Sequence, residues 1–273
     1  MAQNPAQRPA TVVRYRGGER HRAADLVAAE EPLEIRLSTA SGDRTVALTM
    51  RTPGHDAELA VGFLYAERVI SGRGDLVRFA AGSDDDENRV LVELALGLDP
   101  DLAPLERHFF TSSACGVCGK AALDGLLEVG YRPLPRGFTV ERTVLSALPE
   151  RLRGAQGVFD ATGGLHAAAL FDAEGELMAV REDVGRHNAL DKLVGWALLA
   201  GRLPFSDGVV MVSGRSSYEI VQKCLAAGAP VVCSVSAPSS LAVEVAETFR
   251  VTLVGFLRGE RFNVYAAAER IVG

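Results

Sequence analysis

Cysteine and histidine are scarce in this chain, four and five in 273 residues. Four cysteines are too few for a disulfide framework at this length, and a reducing compartment keeps them as thiols. No window approaches the roughly 18 uncharged apolar residues of a membrane span. The amino-terminal stretch MAQNPAQRPATVVRYRGG has no apolar run ahead of a cleavage-like site, so a cytoplasmic protein without a membrane partner is expected. A basic excess is missing as well: 29 Lys and Arg against 35 Asp and Glu give a net charge of -6. That removes a nucleic-acid footprint at the level of the whole chain, and any nucleotide must be met locally.

The chain does have core-forming material, at 48% hydrophobic and 23% charged residues. It suffices for one large domain or two closely packed ones. Residues 1–10 are polar and proline-bearing and read as a mobile tail. LEIRL (33–37) and RTVALTM (44–50) alternate as a hairpin would. TPGHDAELAVGFLYAERVI then carries helix start signals at Thr52 and Pro53, with Leu59, Phe63, Leu64 and Ile70 near helical spacing. RVLVELAL (89–96) is a further strand behind the acidic loop SDDDEN, which lacks calcium-loop spacing and reads as a solvated turn.

From residue 106 the pattern becomes helices alternating with short apolar strands. Helices are expected over 119–129, 143–153, 186–200, 216–227 and 239–248, and strands over 166–172, 177–183, 208–214, 231–236 and 252–256. The implied architecture is α/β. A mixed, mostly parallel sheet with helices on both faces spans 106–273, and a smaller β-rich subdomain occupies 1–105.

Two similar segments lie inside that core. Val212-Ser213-Gly214-Arg215-Ser216-Ser217 recurs as Val235-Ser236-Ala237-Pro238-Ser239-Ser240, each time as strand end, loop and helix start. Ser216 and Glu219 fit a capping box. Parallel strands would bring both loops to one sheet edge, where unpaired amides and helix dipoles favour an anion such as phosphate. Ser213, Gly214, Arg215 and Ser236 are therefore candidate binding residues. In REDVGRHNALDK, Glu182, Asp183, Arg186 and His187 fall near the same edge, with His187 facing Asp191 one helical turn on. His187 is a candidate for proton transfer or nucleotide contact, and a His–Asp pair that only fixes the helix is the alternative. His166 reads as structural.

Cys115-Gly-Val-Cys118 sits between Thr111, Ser112, Ser113 and an expected helix. A structural zinc site needs four ligands, but Cys224 and Cys233 are nine apart on separate elements and read as core thiols. A zinc deaminase needs His or Cys two residues before a glutamate, and no histidine or cysteine here has that neighbour. Thiol chemistry remains: helix-start amides and Lys120 favour a Cys115 thiolate, and Gly116 and Gly119 let a large partner approach. These features suit a persulfide carrier and a dithiol redox pair alike.

Five ordered blocks, TSSACGVCGK, GGLHAAALFD, REDVGRHNALDKLVG, SGRSSYEIVQKCLAAGAP and GFLRGERFNVY, resemble the formate dehydrogenase accessory sulfurtransferase family (FdhD-like). The resemblance implies a cytidine-deaminase-like fold without deaminase chemistry. It implies that sulfur from a cysteine desulfurase is accepted as a persulfide on Cys115, with Cys118 assisting transfer or resolving it. The sulfur then goes to the molybdenum or tungsten bis-molybdopterin guanine dinucleotide cofactor of formate dehydrogenase, a bound substrate that GDP would mimic, with no resident metal. The family's cofactor-binding stretch falls on Phe256, Leu257, Arg258, Gly259, Glu260 and Arg261, and a homodimer is implied. A cofactor-binding chaperone without sulfur transfer is the main alternative, and a zinc-dependent deaminase-like hydrolase the weaker one.

Overall fold

The structure, a computed structural model, describes residues 4–39, 42–81, 87–98, 100, 102 and 119–273. The chain starts with a hairpin. β1 (Gln7–Arg16) pairs antiparallel with β2 (Glu19–Ala28) around Gly17 and Gly18, both at positive φ. Two successive left-handed residues match the twist of the flanking strands, which is why a Gly-Gly turn closes here. Residues 7–10, expected in a mobile tail, therefore belong to a strand, paired with residues 25–28.

A four-stranded sheet follows in the order β4-β3-β6-β5, from β3 (Glu31–Thr39), β4 (Gly42–Arg51), β5 (Leu76–Ala81) and β6 (Arg89–Leu94). Alternate residues Leu33, Ile35, Leu37, Val90, Val92 and Leu94 are buried against α1 (Asp56–Ala66). The helix begins four residues after Thr52. Thr52 is held instead by the core, its amide donating to Asp183 Oδ2 and its hydroxyl accepting from the Val184 amide, both at 3.1 Å.

The larger sheet has the order β13-β12-β11-β10-β8-β9. Its strands are β8 (His166–Phe171), β9 (Leu177–Asp183), β10 (Val209–Val212), β11 (Val231–Ser234), β12 (Thr252–Arg258) and β13 (Arg261–Ala266). The three central strands β10, β11 and β12 are parallel, and β8, β9 and β13 are joined by antiparallel pairings. The expected sheet was mostly parallel; the observed one is mixed with a parallel centre, because β8–β9 and β12–β13 are hairpins and cannot cross over. A two-stranded parallel patch pairs β7 (Val140–Glu141) with β14 (Ile271–Val272).

Helices cover both faces, as the short, fully buried strands VVMV and VVCS require. α2 (Gly119–Glu128), α5 (Arg186–Leu199), α6 (Tyr218–Ala226) and α7 (Ser240–Phe249) share one apolar layer, through Leu126, Leu190, Val221 and Val245. α3 (Arg142–Ala155) covers the other with Leu145, Leu148 and Leu152, and the short α4 (Gly157–Thr162) follows it. No helix among the described residues is long and apolar enough to cross a membrane. The boundary expected at residues 105 and 106 lies outside the described residues. α1, from the amino-terminal half, packs directly on α5 through Gly62 and Gly195. A Cβ at Gly62 would stand 1.8 Å from the Asp191 carbonyl oxygen, and one at Gly195 1.8 Å from that of Glu58.

Candidate functional site

β10, β11 and β12 run parallel and in register, so their carboxyl ends and the connections that leave them meet at one edge. The two serine loops are joined there as the sequence repeat implied. The Ser239 amide donates to the Ser216 carbonyl at 3.0 Å, and Ser216 and Pro238 form a parallel bridge. The third segment is tied to the second loop, the Phe256 amide donating to the Ser236 carbonyl at 3.2 Å. Gly255 makes this approach feasible, since a Cβ there would come within 3.1 Å of both Ser236 O and Pro238 Cδ. Ser213, Ser236 and Phe256 thus fall along one rim.

The individual side chains divide into supports and exposed groups. Ser213 extends the β8–β10 pairing, its hydroxyl accepting from the Ala167 amide at 2.8 Å and its amide donating to the Ala167 carbonyl. Leu257 is fully buried in the layer under α3. Phe256 is exposed at positive φ, a strained conformation for a bulky residue. Arg258 and Arg261 are cross-strand neighbours flanking a two-residue turn, Gly259-Glu260, with Gly259 at positive φ. Arg215, Arg258 and Arg261 are all exposed, and none is in an ion pair among the described residues. Cys115 and Cys118 lie outside the described residues; α2 begins at Gly119, directly behind them.

Two expected pairings are replaced by others. Ser217, not Ser216, is the N-cap of α6, and its hydroxyl lies 3.3 Å from His187 Nε2. Glu219 does not close a capping box but pairs with His187 Nε2 at 3.0 Å. That hydrogen bond, outweighing burial, holds the Glu219 carboxyl down to about 2. Asp191, the expected partner of His187, is buried and binds Lys223 Nζ through both oxygens, at 2.8 and 3.0 Å. Burial pushes the Asp191 carboxyl up to about 6 even against Lys223. Both corrections have one cause: α6 packs beside α5 and supplies carboxylate and ammonium partners from 32 residues away.

Glu182 and Asp183 are also accounted for structurally. Glu182 accepts from the Val158 and Phe159 amides at the start of α4, at 3.1 and 2.9 Å. Asp183 is fully buried, accepts from the Gly185 amide at 2.8 Å and pairs with buried Lys192 at 2.7 Å, which fixes the turn into α5.

Three residues outside the candidate set complete the edge. A Cβ on Gly214 would lie 3.4 Å from His166 Nδ1 and 3.6 Å from Arg186 Cδ, so those two side chains flank Gly214. Burial first, then Arg186 and His187, lowers the His166 pKa and favours a neutral imidazole. Arg186 Nε and Ser216 Oγ are buried with no hydrogen-bond partner. Unpaired buried donors are costly, and here they stand beside the starts of α5 and α6, where dipoles favour an anion. The sequence did hold a signal for Arg186 and His187: two cationic-type residues in the first turn of a helix oppose its dipole unless an anion joins them. Nothing local marked Ser216 beyond a cap.

Cys224 and Cys233 are fully buried, and burial pushes both thiols up. Neither supplies a thiolate at neutral pH. Among the described residues no three His, Cys, Asp or Glu side chains are arranged to hold a metal ion.

Comparison with known proteins accounts for nearly the whole chain. The family model described as "FdhD/NarQ family" matches residues 28–272. The chain is 49% identical over 263 residues to the sulfur carrier protein FdhD of Nocardia farcinica, covering 95% of this chain and 93% of that protein. It is 51% identical to the protein of that name from Streptomyces coelicolor, covering 95% and 94%. A crystal structure of a putative formate dehydrogenase accessory protein from Desulfotalea psychrophila is similar in fold, with a TM-score of 0.77 at 28% identity over 98% of this chain and all of that one.

Proposed function

Because the chain belongs to the FdhD/NarQ family, we propose that it carries sulfane sulfur as a Cys115 persulfide and delivers it to the bis-molybdopterin guanine dinucleotide cofactor, with molybdenum or tungsten, of formate dehydrogenase. The relatives named sulfur carrier proteins, matched over 95% of the chain, carry this reading most. The Cys115 thiolate attacks the outer sulfur of a cysteine desulfurase persulfide, and the desulfurase thiolate leaves. Attack by Cys118 on the inner sulfur would then form a Cys115–Cys118 disulfide and free hydrosulfide for the substrate's metal. A thiol must reduce that disulfide before the next cycle.

The edge supports the cofactor half of the proposal. A dinucleotide substrate brings phosphates, and this edge offers three exposed arginines, the unpaired Arg186 Nε and Ser216 Oγ, and two helix starts. The strand order β9-β8-β10-β11-β12, with β8 antiparallel to β10, is consistent with a cytidine-deaminase-like core. We take the protein to work in the cytoplasm as a homodimer, with an amino-terminal β-rich unit ahead of the α/β core.

Arg258→Ala with Arg261→Ala is expected to weaken GDP binding about tenfold or more in calorimetry, and to reduce its salt dependence. Unchanged affinity would remove both from the site. The chaperone reading, binding cofactor without moving sulfur, is favoured by the same phosphate-facing edge, which needs no cysteine. It requires maturation of formate dehydrogenase to survive loss of both Cys115 and Cys118.

A further inference from the structure

The β1–β2 hairpin stands apart from both larger sheets as a sheet of two strands. Its root is anchored. Ala6 and Ala29 are buried and joined by a backbone hydrogen bond at 2.9 Å, Arg8 pairs with Glu31, and β2 packs on α4. The far half lacks such support: residues 13–22 are exposed without interruption, and successive residues of a strand face opposite ways, so both faces of the hairpin are bare there. A hairpin of two strands is marginal in water without a third strand or a packed face. This one nevertheless carries Val13 and Tyr15 at 51% and 72% exposure. Apolar side chains grouped on such a projection mark a contact with another protein.

Charge narrows the kind of partner. Residues 13–22 hold Arg14, Arg16, Arg20, Arg22 and His21 against Glu19 alone, in a chain whose net charge is -6. Register puts Tyr15 opposite Arg20 and Val13 opposite Arg22, so the two arginines share a face with the two apolar side chains. Neither arginine is in an ion pair among the described residues. Tyrosine and arginine side by side are the residue types that dominate protein interfaces, and unpaired guanidinium groups beside them select an acidic surface. The acidic remainder of the chain disfavours a nucleic acid.

Position selects which protein. α4 runs through Gly163 and Gly164 towards β8, and a Cβ at Gly164 would stand 3.3 Å from the Ala28 Cβ, so the root of the hairpin lies against the approach to β8. His166, the first residue of β8, flanks Gly214 at the rim. The hairpin is therefore rooted beside the edge from which a sulfurated cofactor has to leave. We infer that the hairpin is a docking arm for an acidic surface of the enzyme that receives the cofactor, with Val13, Tyr15, Arg20 and Arg22 as its contact face. The arm rests on the cofactor delivery proposed above and adds the surface that holds the receiving protein.

Binding of the full chain to formate dehydrogenase lacking its cofactor, and separately to the cysteine desulfurase, tests the arm. Arg20→Glu with Arg22→Glu is expected to weaken formate dehydrogenase binding about tenfold or more, and rising salt to weaken it in the unsubstituted protein. Tyr15→Ser is expected to weaken it about tenfold. Both variants keep the melting temperature, the sulfur loading of Cys115 and the GDP affinity of the unsubstituted protein, because the changed side chains are exposed and lie away from the rim. Formate dehydrogenase binding that is missing, or untouched in both variants, overturns the arm. So does a loss confined to the desulfurase, or a dimer that dissociates in sedimentation only in the variants, which assigns the hairpin to a second copy of this chain. In each of those cases, sulfur loading and maturation by the unsubstituted protein leave the proposed function standing. Absence of both in the unsubstituted protein overturns function and arm together.

Discussion

Cys115→Ala protein is expected to acquire no sulfane sulfur from a cysteine desulfurase, and formate dehydrogenase matured with it to show only background activity. The loss should be complete because no other cysteine can substitute at the thiolate step. Cys224 and Cys233 are fully buried with their thiols pushed up, so neither is ionised or reachable. Cys118 precedes α2 directly, and in the proposed cycle it acts on the loaded persulfide instead of accepting the sulfur. Mass spectrometry of the intact chain provides the readout: a reducible addition of about 32 Da, one sulfur atom, localised to Cys115 in the unsubstituted protein and missing from the variant. Far-ultraviolet circular dichroism should be unchanged, since the three apolar layers and the strand pairings described above do not depend on that thiol. Full maturation by Cys115→Ala protein, with the added mass on Cys118, would overturn the assignment.

The alternation of strands and helices in the middle of the larger sheet was legible because β10 and β11 are short, mostly apolar runs that lead into serine loops. VVMV ends at Ser213-Gly214, and VVCS at the second serine loop. Elements at the sheet margins were not legible. β13 reads RFNVYA, with only Ala266 buried, because it is an edge strand with most of its side chains in solvent. The β1–β2 hairpin has the same composition problem, although Gly17-Gly18 between alternating runs was a usable turn signal. α4 is six residues long and shows no helical period. At the site, the rim itself followed from the repeated serine loops, while its pairings did not. The i,i+4 rule offered Asp191 to His187, yet α6 brought Glu219 to one and Lys223 to the other. Partners chosen by helix packing leave no trace in local spacing.

Gly195→Ala tests how the amino-terminal half is held to the core, and it is expected to cost about 3 kcal/mol or more. The added methyl would stand 1.8 Å from the Glu58 carbonyl oxygen, 2.7 Å from its carbonyl carbon and 2.9 Å from the Gly62 amide nitrogen. All three are backbone atoms, so no side-chain rotation relieves the overlap, and α1 and α5 must move apart. For a chain of this size such a cost lowers the melting temperature by about 6–12 °C. Gly154→Ala is the control: its Cβ meets nothing within 4 Å in α3, and a helical Gly→Ala change there is expected to stabilise by about 0.5–1 kcal/mol. The damage at Gly195 should also reach the rim. The loop ahead of α1 holds the turn into α5 through Thr52, bonded to Asp183 and Val184, and that turn positions Arg186 and His187. A shifted α1 therefore weakens GDP binding along with stability, whereas Gly154→Ala leaves GDP affinity unchanged. Equal melting temperatures for the two variants would mean that the two glycines do not set the distance between the helices.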